Sequence, residues 1–336
     1  MTYRVMYRAV FGAPALCVLG VLALNAQTLG PAPAGEVLGV GNFIHVVSNL
    51  DKSIEFYRDV IGLDLTGAPG PHLFAPNAVV STLYDAPGDS RVASLRIPGS
   101  EMAIEIVEFK DGNATPTRPR LQDPGAILLR LTMRDLGPVM ARVKQSEAPV
   151  MTTGGEPVGR EVVVKDPDGI FVRLTQLEPA PPTSAPATAN VIGAGFGITI
   201  ADTAKSMQLY RDVLGFQPSI DTAFHADEKQ AAVLGTPGAQ LRRSTAVIPG
   251  SSMQMEFLEF KGIDSKPARS AIHDPGSSVL RLRVRDIDRI VKALGAAGDP
   301  VASAGGEAVS IGRSRAVIVR ELNNLFLQPM QTGPTP

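Results

Sequence analysis

Two glutamates, Glu105 and Glu256, stand at matching places in two near-identical stretches, IPGSEMAIEIVE at Ile97–Glu108 and IPGSSMQMEFLE at Ile248–Glu259. Each is followed further along by an arginine at a matching position, Arg130 and Arg281. A carboxylate beside a guanidinium can serve as a general base next to an electrophilic partner, or it can simply pair with it. Arginine in excess of carboxylate would instead offer a planar fork of donors to the carboxylate or phosphate of a ligand. Other reactive groups are few. The histidines are His45, His72, His225 and His273, and the only cysteine is Cys17. No set of nucleophile, base and orienting group is readable from the spacing.

The matching is wider than one motif. Phe56–Gly62 (FYRDVIG) returns as Leu209–Gly215 (LYRDVLG), Asp123–Gly125 as Asp274–Gly276, Asp135 as Asp286, and Gly154–Glu156 as Gly305–Glu307. A period near 150 residues is the length of a whole domain, so the chain is a tandem duplication. The copies span 37–178 and 191–331, joined by a Pro- and Ala-rich stretch, 179–190, which reads as a linker, and 332–336 is a tail.

Residues 1–36 lie outside the repeat. Arg4 and Arg8 precede an apolar run, Ala9–Ala26, and small residues follow at Leu24-Asn25-Ala26 and Ala32-Pro33-Ala34. This is the pattern of a secretory signal peptide, and it predicts an exported protein, periplasmic or secreted, with no stable membrane anchor after cleavage. Cleavage would remove Cys17 and leave a thiol-free chain, which suits an oxidising compartment. A formal charge of −1 and a pI near 6.5, with no basic run beyond the N-terminus, argue against nucleic acid as a partner.

The elements that must position the glutamates follow from periodicity. In the first copy Gly41–Asn49 alternates as a strand, Asp51–Ile61 has a helical face stopped by Gly62, and strands follow at Val92–Ile97 and Ala103–Phe109. A second unit runs Ile127–Met133 (strand), Leu136–Gln145 (helix), Arg160–Lys165 and Ile170–Thr175 (strands), with the turn Asp166–Gly169 between the last two. The second copy repeats the order, which predicts an α+β chain whose sheets carry helices on one face. Successive strand residues face opposite ways. Apolar Ile104 and Ile106 belong against helices, so Glu105 faces the other way, as does Glu256 between Met255 and Phe257. The same argument turns Arg130, Arg281, Arg283, Arg173, Gln328 and Asn42 away from the helices. It turns His45 toward them unless a β-bulge intervenes.

The stretch Asn49–Gly62 and its repeat Ala201–Gly215 resemble the first helix of the vicinal oxygen chelate superfamily, which includes glyoxalases, bleomycin-resistance proteins and extradiol dioxygenases. Met102–Phe109 and the Asp166–Leu174 turn and strand resemble further segments of that family. The resemblance implies four βαβββ modules forming two glyoxalase-like domains, each a curved mixed sheet whose cup often holds a divalent metal. Whether cups form within a copy or between copies is left open by the repeat. The family's ligand positions fall on Asn42, Glu105, Leu128 and Arg173, and on Gly195, Glu256, Val279 and Gln328. These lack the three protein ligands of a catalytic zinc or the His₂-carboxylate set of iron. The expectation is therefore no cofactor, with a divalent metal (Zn, Fe, Mn or Ni) held by His45 and Glu105 as the alternative.

Counted copy by copy, Glu105 faces Arg130 and Arg173, and Glu256 faces Arg281 and Arg283, one guanidinium in excess each. Asn42, Glu105, Arg130, Arg173, Glu256, Arg281, Arg283 and Gln328 are thus the expected ligand-binding residues, for a small and anionic molecule, in a monomer or homodimer. Two alternatives stand beside this. One is a metal-dependent enzyme of the family, a lyase, isomerase or dioxygenase, with Glu105 and Glu256 as catalytic candidates. The other is a structural duplicate whose Glu–Arg pairs hold sheets together without a ligand.

Overall fold

The computed structural model describes residues 36–67, 72–110 and 114–333; the signal-peptide reading falls almost wholly outside them. The repeated helix begins on a side-chain cap in both copies, Asn49 accepting from the Lys52 amide and Asp202 from the Lys205 amide. It widens into a π-helical turn over Glu55–Ile61 and Leu209–Val213. The first of these stops at Gly62, whose left-handed backbone (φ +96°) a side chain would strain. Among the described residues no helix is long and apolar enough to cross a membrane.

The strands assemble into one sheet of ten strands and one of seven, and neither belongs to a single copy. In sheet one, Val37–Val46 of the first copy pairs antiparallel with Ser278–Val284 of the second, Phe43 opposite Leu280. In sheet two, Ile127–Met133 of the first copy pairs with Val191–Thr199 of the second, Leu129 opposite Phe196. The outer units of the chain build one sheet and the inner units the other. The cups therefore form between copies, a choice that alternation within a strand cannot make.

Helix-side residues of both sheets drain into one core, where Phe43 of sheet one meets Phe196 of sheet two at 5.5 Å between ring centroids. Burying a phenylalanine of this kind contributes about 2–3 kcal/mol. The 179–190 stretch has no regular element but is tied down: Asp135 donates its amide to the Asn190 side chain (2.9 Å), and Asn190 donates back to the Asp135 carbonyl (2.8 Å).

Two short helices escaped the periodicity argument, Ala78–Leu83 and Glu228–Leu234, at six and seven residues too brief to show a helical face. Each starts on its own cap, Asn77 and Asp227. They do not join the outer helices but sit inside the cups. Leu83 and Tyr84 pack on Ile44, Val46, Val279 and Phe326. Val233 and Leu234 pack on Leu128, Val163, Phe171 and Leu258. Gly235 ends the second helix so close to the Met151 carbonyl that an added Cβ would lie 2.1 Å from the oxygen.

Candidate functional site

With one end of each cup filled by apolar side chains, its polar residues gather at the other. In sheet one Glu105 is in register with Ile44, so the two share a face. Asn42 donates to Glu105 Oε2 at 3.1 Å, and Arg281 reaches both oxygens of Glu105, Nη1 at 3.4 Å and Nη2 at 3.3 Å. Arg281 also donates through Nε to Gln328 Oε1 at 2.6 Å. Its stem crosses Gly41, where an added Cβ would lie 2.7 Å from the Arg281 Cγ. Tyr84, carried in by the short helix, has a buried hydroxyl with no hydrogen-bond partner among the described residues. Burial, and then the charge of Glu105, hold that hydroxyl's pKa above the ordinary value against the opposing pull of Arg281.

Sheet two gathers more charge. Glu256, 1 % exposed, has Arg243 Nη1 at 3.3 Å, Arg130 Nε at 3.4 Å and Arg173 Nη1 at 3.8 Å. Its Oε2 accepts no hydrogen bond among the described residues, so the arginines neutralise it without saturating it. Arg173 is committed elsewhere, donating through Nε to Glu161 at 2.8 Å and through Nη2 to Gln230 at 3.1 Å on the second short helix. Arg130 and Arg243, 29 % and 47 % exposed, reach toward solvent.

These pairings correct the copy-by-copy count. Glu105 meets Arg281, not Arg130 and Arg173, and Glu256 meets Arg130, Arg173 and Arg243, not Arg281 and Arg283, because each sheet is shared between copies. Sheet one then balances, Glu105 against Arg281 giving −1 + 1 = 0. Arg283 stands half exposed at its edge, 3.9 Å from Glu101. Sheet two holds three arginines against Glu256 and Glu161, +3 − 2 = +1. The expected excess of one guanidinium is met in only one cup. Arg243 went unnoticed because its repeat position in the first copy is Val92, and duplication points only to residues that both copies keep.

His45 lies where alternation puts it, on the helix side, in register with Ile106 rather than Glu105. A bulge does interrupt this strand, but between Val40 and Phe43, upstream of His45. His45 and Glu105 therefore lie on opposite faces and cannot share a metal, which removes that ligand pair. The imidazole is fully buried, stacked near Phe43, with Nδ1 3.2 Å from the Ser277 carbonyl and Nε2 2.9 Å from Asp166 Oδ2. When the imidazole is protonated, that last contact is a buried ion pair. The Tyr57 hydroxyl donates to the same oxygen at 2.8 Å. Burial alone would lower the His45 pKa, but the charge and hydrogen bond of Asp166, then Asp168 and the Ser277 carbonyl, raise it overall.

With the sheets assembled, the family's ligand positions become Asn42, Glu105, Val279 and Gln328 in one cup and Leu128, Arg173, Gly195 and Glu256 in the other. Each set has one carboxylate, already facing guanidinium, and the rest are apolar, amide or cationic. Neither fits a divalent cation.

The model of the Glyoxalase/Bleomycin resistance protein/Dioxygenase superfamily matches residues 39–174 and 194–313. The chain belongs to that superfamily. Its fold is similar to that of a candidate dioxygenase from Bacillus subtilis (TM-score 0.56, 14 % identity, covering 90 % of this chain and 87 % of the other). It is similar also to a single-site mutant of glyoxalase I from Zea mays (TM-score 0.55, 12 % identity, 88 % and 93 % covered). Among curated proteins none matches the sequence.

Proposed function

We propose that this superfamily member binds a small anionic molecule at the polar end of the sheet-two cup, without the metal that many relatives use. The observation that carries the reading is the ring of Arg130, Arg173 and Arg243 around one buried glutamate whose Oε2 accepts no hydrogen bond. A partly desolvated guanidinium in excess of carboxylate is costly alone, and an anion with planar oxygens relieves that cost. The sheet-one cup, already balanced, is the internal control. The N-terminal segment adds the proposal of export, checked by intact-mass measurement of the secreted or periplasmic protein for loss of the first 26 or so residues.

The packing of the short helices into both cups favours a second reading, in which the pairs only hold the sheets together. Melting the protein in phosphate, sulfate and small carboxylates against chloride of equal ionic strength separates the two. Binding predicts a rise in Tm, on the order of 2.7 kcal/mol of stabilisation at one hundred times Kd. Arg243→Gln should abolish the rise while leaving the stability in chloride within about 0.5 kcal/mol of the original, and Arg283→Leu should change neither. An anion-insensitive Tm in the unsubstituted protein would leave only the structural reading.

A further inference from the structure

The cluster around His45 has a counterpart in the second copy, and there the chemistry is inverted. Tyr210 takes the place of Tyr57, Glu321 that of Asp166 and Asn323 that of Asp168. The local frame is kept: Asn323 and Leu325 donate their amides to Glu321 Oε1 at 3.0 Å each, as Asp168 and Ile170 do to Asp166 at 3.0 and 2.8 Å. Ile198, however, replaces the histidine, and Asp299 replaces Ala148. One cation has been removed and one acid added.

Glu321 is held by Asn323 and Leu325, but two neighbouring polar side chains are left without partners. The Asp299 side chain, 3 % exposed, makes no hydrogen bond among the described residues, and its Oδ2 is fully shielded. The Tyr210 hydroxyl, which in the first copy would donate to the acid, has no partner either. In front of Asp299 and Glu321 lies a cavity of about 350 Å³, with Arg320 and Arg269 on its walls. Arg320 is pinned, donating to Asn324 at 2.8 Å and lying 4.9 Å over the Phe326 ring. Two acids against two guanidiniums sum to −2 + 2 = 0, with acids and cations standing as separate groups. A divalent cation would find only two carboxylates and would be repelled by both arginines. A lone anion would meet Asp299 and Glu321.

We propose that this cavity, outside both cups, binds a small zwitterion, its ammonium directed to Asp299 and Glu321 and its carboxylate to Arg320 and Arg269. An ammonium brings three donors, and the unpartnered Asp299 carboxyl and the remaining lone pairs of Glu321 are acceptors for them. A carboxylate accepts the guanidinium fork in the same way. The titration of the lining groups agrees. Burial lifts Asp299 to about 6, and burial together with the charge of Asp299 lifts Glu321 to about 7. Those same two charges bear on Tyr210. Burial and then Arg269 push Arg320 down, with Asp274 opposing, so the two guanidiniums do act on each other. An ammonium would therefore displace protons from the acids as it binds.

The test is calorimetry on the full chain with glycine and L-alanine as zwitterions, methylamine as the cation and acetate as the anion. The zwitterions should bind at pH 8 and at least tenfold more weakly at pH 5, with proton release near pH 6.5 when buffers of different ionisation enthalpy are compared. Asp299→Asn should weaken both zwitterion and methylamine at least tenfold, and Arg320→Gln only the zwitterion. No heat from either zwitterion at millimolar concentration and pH 8 would overturn the proposal. So would full affinity in Asp299→Asn, or acetate binding as tightly as glycine. A divalent cation stabilising the protein through Asp299 in place of the zwitterion would overturn it too.

Discussion

In the first copy a buried tyrosine, an acid and a histidine complete one another; in the second, the tyrosine meets two acids and an isoleucine. The frame is the same turn in both, so the difference lies in the charge set inside it. The His45 cluster puts a cation against the carboxylate, and although burial opposes it, the histidine and its hydrogen bonds hold Asp166 below the usual carboxylate range. The Glu321 cluster has backbone donors but no cation, and burial wins, lifting the acid to about 7. Two changes across the repeat, histidine to isoleucine and Ala148 to Asp299, accompany the switch from an ion pair to a proton at the same buried position.

The largest effect should come from breaking the complete cluster. His45→Ile makes the first copy like the second but leaves Asp166 without its cation. Removing one partner of a buried pair costs about 3–5 kcal/mol, read as a lower urea midpoint at unchanged slope. A loss under about 1 kcal/mol would mean that Tyr57 and the turn amides hold Asp166 unaided. The histidine's pKa is raised on folding, so its contribution is fully present below about pH 6.5 and lost as pH climbs through the folded value. Asp166 runs the other way, its contribution lost as pH falls below its ordinary range.

Glu321→Gln should act with opposite sign. A carboxyl raised from about 4.5 to about 7 favours the fold while protonated, and that contribution fades as pH rises through about 7. The variant should match the original protein at pH 4 and exceed it at pH 8 by on the order of 2 kcal/mol, seen in urea melts across that range. Asp299→Asn should follow the same course at lower pH, between about 3.8 and 6, with a smaller gain of about 1 kcal/mol. Because the two acids act on each other, the double variant should gain less than the sum. Additive gains would show that they titrate independently.

Much of this was legible in the sequence. Period-2 alternation put Glu105, Arg130, Glu256 and Arg281 on the concave faces and His45 on the helix side, because a strand has only two sides. Pairing between modules was not legible: Leu129 is as apolar opposite Phe196 as it would be opposite Phe43, and nothing local distinguishes the partners. Nor were the short helices, whose residues show too few turns for a face. Arg243 and Asp299 share a third reason. Each is a place where the copies differ, and an argument from repetition passes over what only one copy has.

The crossed strand order bears on how such a chain arose and how it comes apart. A single copy would present two half-sheets, each lacking the neighbour that the other copy supplies, and two such copies would complete each other about a twofold axis. The tandem chain is thus equivalent to a dimer made covalent at 179–190. A cut there would leave two fragments still interleaved through both sheets rather than two free domains. Fusion also lifts the requirement that both halves be identical, and that freedom allows one copy to keep a histidine where the other opens a cavity.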